Sequence, residues 1–267
     1  MSGTGDEPWE SYYLQLDGRL TSVAVHLGLH ARAPVAELPI LTRITVPVVG
    51  SDAHFFTPDE GDFLDRMVAG LETLVGRRGG LRTWFGPPAN ELLFVGRRSH
   101  EGEAFLYFHS RRRIEKARLV ELERLLPRRA WSCEDREDAL WRTYLDTLHP
   151  GPALNPLLAS WALIDEHRKE GSDPAVKRPV DHTLLFQAED GRRGFLEEAR
   201  PDQQTQVRPF EMDGTDATHR FGVDLTWEHT LFRSVVDPHV VGLARRAARF
   251  GGVYDGWGCP VVGSDGR

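Results

Sequence analysis

The sequence predicts an α+β protein of two domains, because strand and helix patterns alternate in both halves and a proline-rich break separates them. The chain has 267 residues, of which 40% are hydrophobic and 27% are charged, and this length exceeds a usual single domain of roughly 100 to 200 residues. Pro150-Gly151-Pro152 can continue neither a helix nor a central strand. We therefore predict domains at residues 1–150 and 153–267.

The first domain is predicted to be an antiparallel sheet packed with helices. Residues 12–17 and 22–29 are expected to pair as a hairpin around Asp17-Gly18, since the second segment alternates apolar with polar or small side chains. In such a strand His26 and His30 both point away from the apolar face, which argues against a metal site. Further strands are predicted at residues 38–49, 92–95 and 104–109.

Helix signals lie between and after these strands. Thr57-Pro58-Asp59-Glu60 combines an N-cap hydroxyl, a proline at the first helical position and a glutamate three residues after the cap. Gly79-Gly80 is expected to end that helix, and a second helix is predicted over residues 114–126. Ser132 is expected to cap a third helix. Its inner face is predicted to hold Leu140, Trp141, Tyr144, Leu145 and Leu148.

The second domain is predicted to be a ferredoxin-like βαββαβ sandwich with an extra leading helix. The leading helix starts at Asn155-Pro156. A later helix is expected to be capped by Asp237-Pro238 and ended by Gly251-Gly252. The remaining elements are predicted as strands at residues 180–187, 205–212, 219–227 and 260–262 and a short helix at 194–200. Their order is the basis for the ferredoxin-like prediction.

Charge and composition argue against several classes of function. The net charge is −7 and both halves are acidic, whereas a nucleic-acid-binding domain normally carries a basic face. No signal peptide and no run of 18 apolar residues is visible, so we expect a cytoplasmic protein without membrane association. The two cysteines, Cys133 and Cys259, form no disulfide framework and no metal motif.

A run of glycines and aromatic residues near the C-terminus, Phe250-Gly251-Gly252-Val253-Tyr254-Asp255-Gly256-Trp257-Gly258, is the most specific motif of the chain. It resembles the hallmark of the regulator of ribonuclease activity B family. Glu170-Gly171-Ser172-Asp173 and Pro179-Val180-Asp181-His182 also fall where that family has them, so the resemblance covers roughly residues 153–262. The resemblance implies a protein inhibitor that binds the scaffold region of ribonuclease E and alters which transcripts are degraded.

The first half resembles a bacterial domain of uncharacterised function that is found fused ahead of this family. The residues that carry this second resemblance are Val95-Gly96-Arg97, Phe105-Leu106-Tyr107-Phe108, Asp138, Trp141, Tyr144 and Leu148-His149-Pro150. The resemblance implies no activity for the first half.

The candidate partner-binding residues are Tyr254, Asp255, Gly256, Trp257 and Gly258. An alternative interpretation is structural. In it the glycines supply positive φ or a close backbone approach, Tyr254 and Trp257 fill the core, and Asp255 accepts hydrogen bonds from turn amides. Neither interpretation assigns a catalytic residue, a cofactor or a metal ligand to this segment.

Arg111, Arg112 and Arg113 form the strongest basic run and are a weak candidate for phosphate or RNA binding. The acids that follow could neutralise this run; they are Glu134, Asp135, Glu137 and Asp138. No phosphate-binding glycine loop is present in the sequence.

Three functional hypotheses follow. The first is a non-enzymatic regulator or adaptor whose second half binds a protein, by resemblance a ribonuclease or its scaffold. The second is a small-molecule-binding or hydrolytic protein in which His149, His182 and Asp255 converge at a site between the domains. The third is RNA binding through the segment near Arg111, which would be weakened by salt.

Overall fold

The computed structural model describes residues 8–48, 57–76, 92–125, 129–199, 204–212 and 218–263. It contains helices and two antiparallel sheets, which confirms the α+β class. The chain divides into two compact units, one comprising the described residues of Met1–Ser11 and Leu16–His149, the other Tyr12–Gln15 and Pro150–Arg267. A boundary near Pro150 alone does not predict that Tyr12–Gln15 belongs with the second unit.

The first sheet has six strands in the order β1-β2-β4-β5-β3-β6. The strands are β1 (Trp9–Leu16), β2 (Arg19–His26), β3 (Ile40–Pro47), β4 (Leu92–His100), β5 (Glu103–Ser110) and β6 (Ser132–Glu137). The described part of this unit also contains two α-helices, α1 (Pro58–Gly76) and α2 (Lys116–Leu125). Apolar residues from one face of β3 and β5 pack against α1; they include Ile44, Val46, Leu106, Phe108, Leu64 and Met67.

The start of α1 follows the sequence prediction. The backbone N–H of Glu60 donates to Thr57 Oγ1 at 3.3 Å, so the threonine caps the helix. The carboxylate of Glu60 is held by the guanidinium of Arg129, with one oxygen 2.6 Å from Arg129 Nη1. The predicted end at Gly79-Gly80 lies outside the described residues.

Replacing Thr57 by alanine is expected to lower the free energy of unfolding by about 1 kcal/mol, since the first turn of α1 loses a side-chain acceptor. Urea unfolding of the full chain measures this. Thr57→Ser keeps the hydroxyl and is the control that should stay close to wild type; a loss of equal size in both variants would contradict capping.

Three predictions for the first unit are wrong. The predicted strand over residues 22–29 ends at His26, and Leu27–Leu29 form a 3-10 turn, so His26 is buried and does not point outward. The strand predicted at residues 92–95 continues to His100, because β4 and β5 meet in a tight hairpin at Glu101-Gly102. The third error concerns residues 132–137.

The segment from Ser132 is a strand and not the start of a helix. β6 pairs with β3 along its whole length, and its acidic side chains have cross-strand partners: Thr42 Oγ1 donates to Asp135 at 2.6 Å, and Arg43 Nη2 to Glu134 at 2.7 Å. A π-helical turn follows at Thr143–Leu148. Leu140, which was predicted to face inward, is 59% exposed.

The second unit begins with α3 (Leu154–Lys169) and continues through β7 (Arg178–Phe186), α4 (Glu189–Ala199), β8 (Gln206–Glu211), β9 (Phe221–His229), α5 (Arg233–Arg249) and β10 (Gly252–Gly258). Its four strands are all antiparallel in the order β10-β7-β9-β8. Alternate residues of β7 are buried, from Val180 to Phe186, as the period of a strand with one buried face requires. None of the described helices has both the length and the apolar character needed to cross a membrane.

Two predictions for the second unit are wrong. Asp237 lies in the second turn of α5 instead of capping it, because the helix already begins at Arg233. Its carboxylate is buried and accepts the indole N–H of Trp161 at 2.9 Å and the backbone N–H of Tyr13 at 3.2 Å. The last strand is β10 rather than residues 260–262, so the glycine-rich motif is itself a strand.

Candidate functional site

The glycine-rich motif begins at Phe250, the residue that caps the C-terminus of α5, and contains the whole of β10. β10 lies at the edge of the four-stranded sheet, beside β7. Gly251 has a φ of +67°, in the left-handed region that glycine adopts without strain, and it turns the chain out of α5. A Cβ at Gly252 would lie 2.5 Å from the ring of Phe186. Position 252 therefore requires glycine, because the backbone passes directly over a core ring.

A β-bulge determines which side chains of β10 face the core. The register against β7 shifts between Tyr254 and Gly256, and Gly256 has a φ of 148°. Residues three apart on a regular strand face opposite sides, but one extra residue brings them to the same side. Tyr254 and Trp257 are consequently both buried, whereas Asp255 and Gly258 are exposed.

Trp257 connects β10 to α3. Its indole N–H donates to Ser160 Oγ at 2.6 Å, and its ring stacks on His167 with centroids 5.9 Å apart. A buried indole normally has such a partner for its N–H. Of the five candidate residues, the two aromatic ones thus support the strand from within, and only the backbone, Asp255 and Gly258 face outward.

Tyr254 is the end of a chain of hydrogen bonds that crosses the sheet. Its hydroxyl lies 2.7 Å from His182 Nδ1, His182 Nε2 lies 3.1 Å from His229 Nε2, and His229 Nδ1 lies 2.8 Å from the carbonyl oxygen of Thr230. A carbonyl only accepts, so His229 Nδ1 carries a proton. With neutral rings, His182 must then donate to His229 and Tyr254 must donate to His182. The chain therefore has one neutral arrangement, and it joins β9, β7 and β10.

His239 of α5 and Trp227 of β9 complete this cluster. The Trp227 ring stacks on His182 at 4.2 Å and meets His239 edge-on at 4.9 Å, and His239 lies 5.1 Å from His229. Burial, followed by repulsion from His229, lowers the pKa of His239 to about 4. Burial likewise lowers the pKa of His229, and it places the pKa of His182 well below the usual range.

A cleft of about 1000 Å³ in the second unit borders this cluster. Trp227, His229 and His239 line it, together with Arg245 and Arg246. A base with a pKa of about 4 is poorly matched to proton transfer at neutral pH, which is most efficient when the pKa lies near the working pH. Within the described residues no group of three or more His, Cys, Asp or Glu side chains is arranged to hold a metal ion. The hydrogen-bonded rings of the cluster thus join β7, β9 and β10.

The sheet face opposite these histidines carries paired polar side chains. Arg208 Nη2 donates to Asp224 at 2.6 Å, Thr183 Oγ1 donates to the same carboxylate at 2.8 Å, and the Thr226 hydroxyl donates to Asp181. The charges of Arg208 and Asp224 satisfy each other, so this face presents no isolated ion at their position.

The basic run of the first unit is exposed. Arg111, Arg112 and Arg113 follow β5. Two of the four acids named as able to neutralise them, Glu134 and Asp135, bind partners on β3. A phosphate or RNA contact at these arginines stays a prediction.

The three residues of the interdomain hypothesis have different surroundings. His149 stacks on His30 at 3.9 Å within the first unit. His182 is fully buried in the second unit, whereas Asp255 is exposed on β10. His182 and Asp255 therefore do not share one environment within the second unit.

Burial raises the pKa of both thiols. Burial, and then the charges of Asp135 and Glu134, raises the pKa of Cys133 to about 12. Burial also raises the pKa of Cys259, whose sulfur lies 3.7 Å from His167 Nε2. A nucleophilic cysteine requires a lowered pKa, so both behave as packing residues.

Sequence reasoning missed the assembly of His182, His229 and His239. The signal was present for two of them. His182 falls between the buried positions Val180 and Leu184, and His229 continues the alternation that ends at Trp227. A histidine at an inward position of a strand is a candidate for a buried hydrogen-bonded ring.

The second half of the chain matches a known family. Residues 159–259 match the family model described as Regulator of ribonuclease activity B, so this part of the chain carries a domain of that family and the resemblance is confirmed. No curated protein matches the chain. Among solved structures, the chain described as "Crystal Structure of an Unknown Protein from Galdieria sulphuraria" is 10% identical, with coverage of 83% of this chain and 98% of that one and a TM-score of 0.20. A likeness of that size carries no argument.

Proposed function

We propose that this protein is a non-enzymatic, cytoplasmic regulator that binds another protein and thereby modulates an RNA-degrading enzyme. The family match over residues 159–259 supports the regulation of a ribonuclease. By resemblance, the partner is a ribonuclease E-type enzyme or its scaffold. The low pKa of His239 and the raised pKa values of both thiols favour binding over catalysis.

We further propose that the second domain spans residues 153–267 and is ferredoxin-like. The strand order β10-β7-β9-β8 supports this fold, because the fourth strand lies beside the first, and the third lies between the first and the second. The place of Tyr12–Gln15 in the second unit means that binding experiments require the full chain.

The observation that carries the proposed interface is the position of the family motif on an edge strand. The outer side of an edge strand offers unpaired backbone groups, to which an extended segment of a partner can add as a further strand. Tyr254 and Trp257 hold β10 from within, which leaves the exposed side chains Val253 and Asp255 to select the partner. The bulge at Gly256 limits the length of strand that is available, which disfavours unspecific pairing.

Val253→Lys is expected to weaken capture of the ribonuclease at least tenfold, because it places a flexible cation beside the proposed docking strand. Val253 is 42% exposed, so the substitution leaves the core unchanged. Quantitative pull-down of a purified ribonuclease or its scaffold by the full chain measures the effect.

Val207→Lys is the matched control. Val207 is 40% exposed and lies on β8, the strand at the other edge of the same sheet. Binding should be unaffected by this change. Equal capture by the two variants would exclude the β10 edge, and failure of the wild-type chain to bind any RNA-processing protein would exclude the proposed function.

A further inference from the structure

The first sheet carries arginines on the face opposite its apolar core. Tyr107 of β5 lies between Arg43 of β3 and Gly96 of β4, and the neighbouring pairs place Arg98 beside Phe105 and Arg136 beside Leu41. Directly opposed residues project to the same face of a sheet. The register therefore brings the guanidinium groups together around one row of aromatic rings.

These side chains line a pocket of about 270 Å³. The donors on its wall are the guanidiniums of Arg43, Arg98 and Arg136, the hydroxyl of Tyr107, and the threonines at 143 and 147 of the π-helical turn. The carboxylates of Glu134 and Asp135 also line it, and they accept hydrogen bonds from Arg43 and Thr42. The pocket is smaller than the roughly 300–1,000 Å³ of sites for drug-sized ligands. Its size suits a single ionised group.

The arginines are only partly satisfied by the protein. Arg43 Nη2 donates to Glu134 at 2.7 Å and Arg136 Nη2 donates to Thr143 Oγ1 at 2.6 Å. Arg98 has no carboxylate partner among the described residues, and the Nε atoms of both Arg43 and Arg98 are buried without an acceptor there. A buried charged donor without an acceptor is unfavourable, so these two N–H groups call for an acceptor in the pocket.

The positions of the arginines are held by stacking. The Cζ atoms of Arg98 and Arg43 lie 5.0 and 5.7 Å from the centroid of the Phe105 ring. Tyr107 is 3% exposed, and while burial raises its pKa, the charges of Arg98, Arg43 and Arg136 lower it. Its hydroxyl therefore lies within the field of three cations and serves as a donor.

We propose that this pocket binds an oxyanion of the size of phosphate, either inorganic phosphate or the phosphate group of a small ester. Arginine is the cation best suited to such a ligand, since its planar group donates two parallel N–H bonds to two oxygens. Arg98, with no competing carboxylate among the described residues, is the principal ligand, and Arg43 and Tyr107 supply further donors. The remainder of an ester would extend out of the pocket. This inference concerns the first unit and is independent of the regulatory function proposed for the second.

Isothermal titration calorimetry of the full chain with inorganic phosphate, in chloride buffer of constant ionic strength, tests the proposal. We expect saturable binding at one site, and Arg98→Met should weaken it at least tenfold. Arg118→Met is the matched control, because Arg118 is a partly exposed arginine of α2 that pairs with Glu121 in the same unit. It should bind phosphate like the wild type.

Glycerol 3-phosphate in a parallel titration separates the two sources of the phosphate group. Binding more than tenfold tighter than that of inorganic phosphate identifies an ester, and equal or weaker binding identifies the free ion. Absence of saturable binding of both probes, or wild-type affinity in Arg98→Met, would overturn the proposal.

A second measurement does not depend on the folding of Arg98→Met. In ¹⁵N-resolved NMR spectra of the wild-type chain, the Nε–H resonances of Arg98 and Arg43 should shift in proportion to phosphate occupancy. In the same titration, the variant Tyr107→Phe should bind phosphate several-fold more weakly than the wild type. Resonances that stay unchanged at phosphate saturation would place the ion elsewhere and refute the site.

Discussion

Arg178→Ala is expected to lower the free energy of unfolding of the second unit by about 3–5 kcal/mol, because several buried acceptors lose a charged donor, at a cost of about 1–3 kcal/mol each, and a cavity opens. The Arg178 side chain is 2% exposed and satisfies several carbonyl oxygens at once. Its Nε and Nη2 donate to Val176 O at 3.1 and 3.0 Å, its Nη1 donates to Pro260 O at 3.5 Å, and it also binds Ser172 Oγ and Asp173 O. Truncation leaves these acceptors buried without donors and opens a cavity.

The effect should be local to the segments that Arg178 joins, the turn after α3 and the stretch after β10. Hydrogen exchange followed by mass spectrometry measures it in each segment, and urea unfolding gives its total. Arg178→Lys retains the charge but fewer directed donors, so its loss should be intermediate. Arg208→Ala is the control, since the Arg208 side chain is 81% exposed and pairs with Asp224 at the surface. If both alanine variants unfolded alike, the buried role of Arg178 would be refuted.

The importance of Arg178 shows where sequence reasoning reaches its limit. The predicted strand at 180–187 became β7 because its alternation of apolar residues reports burial of one face. Arg178 precedes that alternation and carries a charge, and a charged residue at a strand end is normally assigned to the surface. Only the packing of the segments around residues 172–176 and 260 makes a buried guanidinium favourable. Most of these acceptors lie two to six residues before Arg178, in an irregular turn, and such a turn leaves no periodic trace in the sequence.

The same distinction explains the errors at β6 and β10. Ser132–Glu137 is too polar for a strand by propensity, yet its charges have cross-strand partners on β3, which local patterns do not reveal. The motif of β10 is rich in glycine, so the final strand was predicted after it, at residues 260–262. In the structure residue 252 must be glycine because a Cβ there would clash with the ring of Phe186. The bulge at Gly256 places Tyr254 and Trp257 on the same face of the strand. The motif was recognised correctly as a family feature, but its strand geometry depended on β7.

The histidine cluster gives the second large effect: acidification from pH 6.5 to about pH 4 is expected to destabilise the second unit through His239. Its pKa is lowered to about 4 in the fold, so between these pH values the unfolded chain binds a proton that the folded chain does not. Stability then falls as the pH falls. His239 contributes on the order of 3 kcal/mol to the free energy of unfolding. This contribution is present above pH 6.5 and is lost as the pH drops from 6.5 to about 4. His182 and His229, whose pKa values are also lowered by burial, act in the same direction.

Asp237 acts in the opposite direction and must be separated from the histidines. Burial raises the pKa of Asp237 to about 6, so the folded chain binds this proton first, and acidification between pH 6 and 3.8 favours folding. The wild-type profile alone is therefore a sum of opposing slopes. Comparison with His239→Gln isolates the histidine, because Asp237 is common to both proteins.

Urea titration at pH 7.0, 6.0, 5.0 and 4.5 measures the free energy of unfolding. Between the first and the last pH this free energy should fall less in His239→Gln than in the wild type, by up to about 3 kcal/mol. His219→Gln is the matched control, since His219 precedes β9 and lies outside the cluster. The neutral imidazoles of His229 and His182 are hydrogen-bonded in series from the carbonyl oxygen of Thr230. Neither ring can take up a proton unless a hydrogen bond of this series reverses or breaks. Parallel profiles for wild type and His239→Gln would contradict the prediction. They would mean that His239 takes up a proton as readily in the fold as in the unfolded chain, which would require the sheet to open around Trp227 and His229.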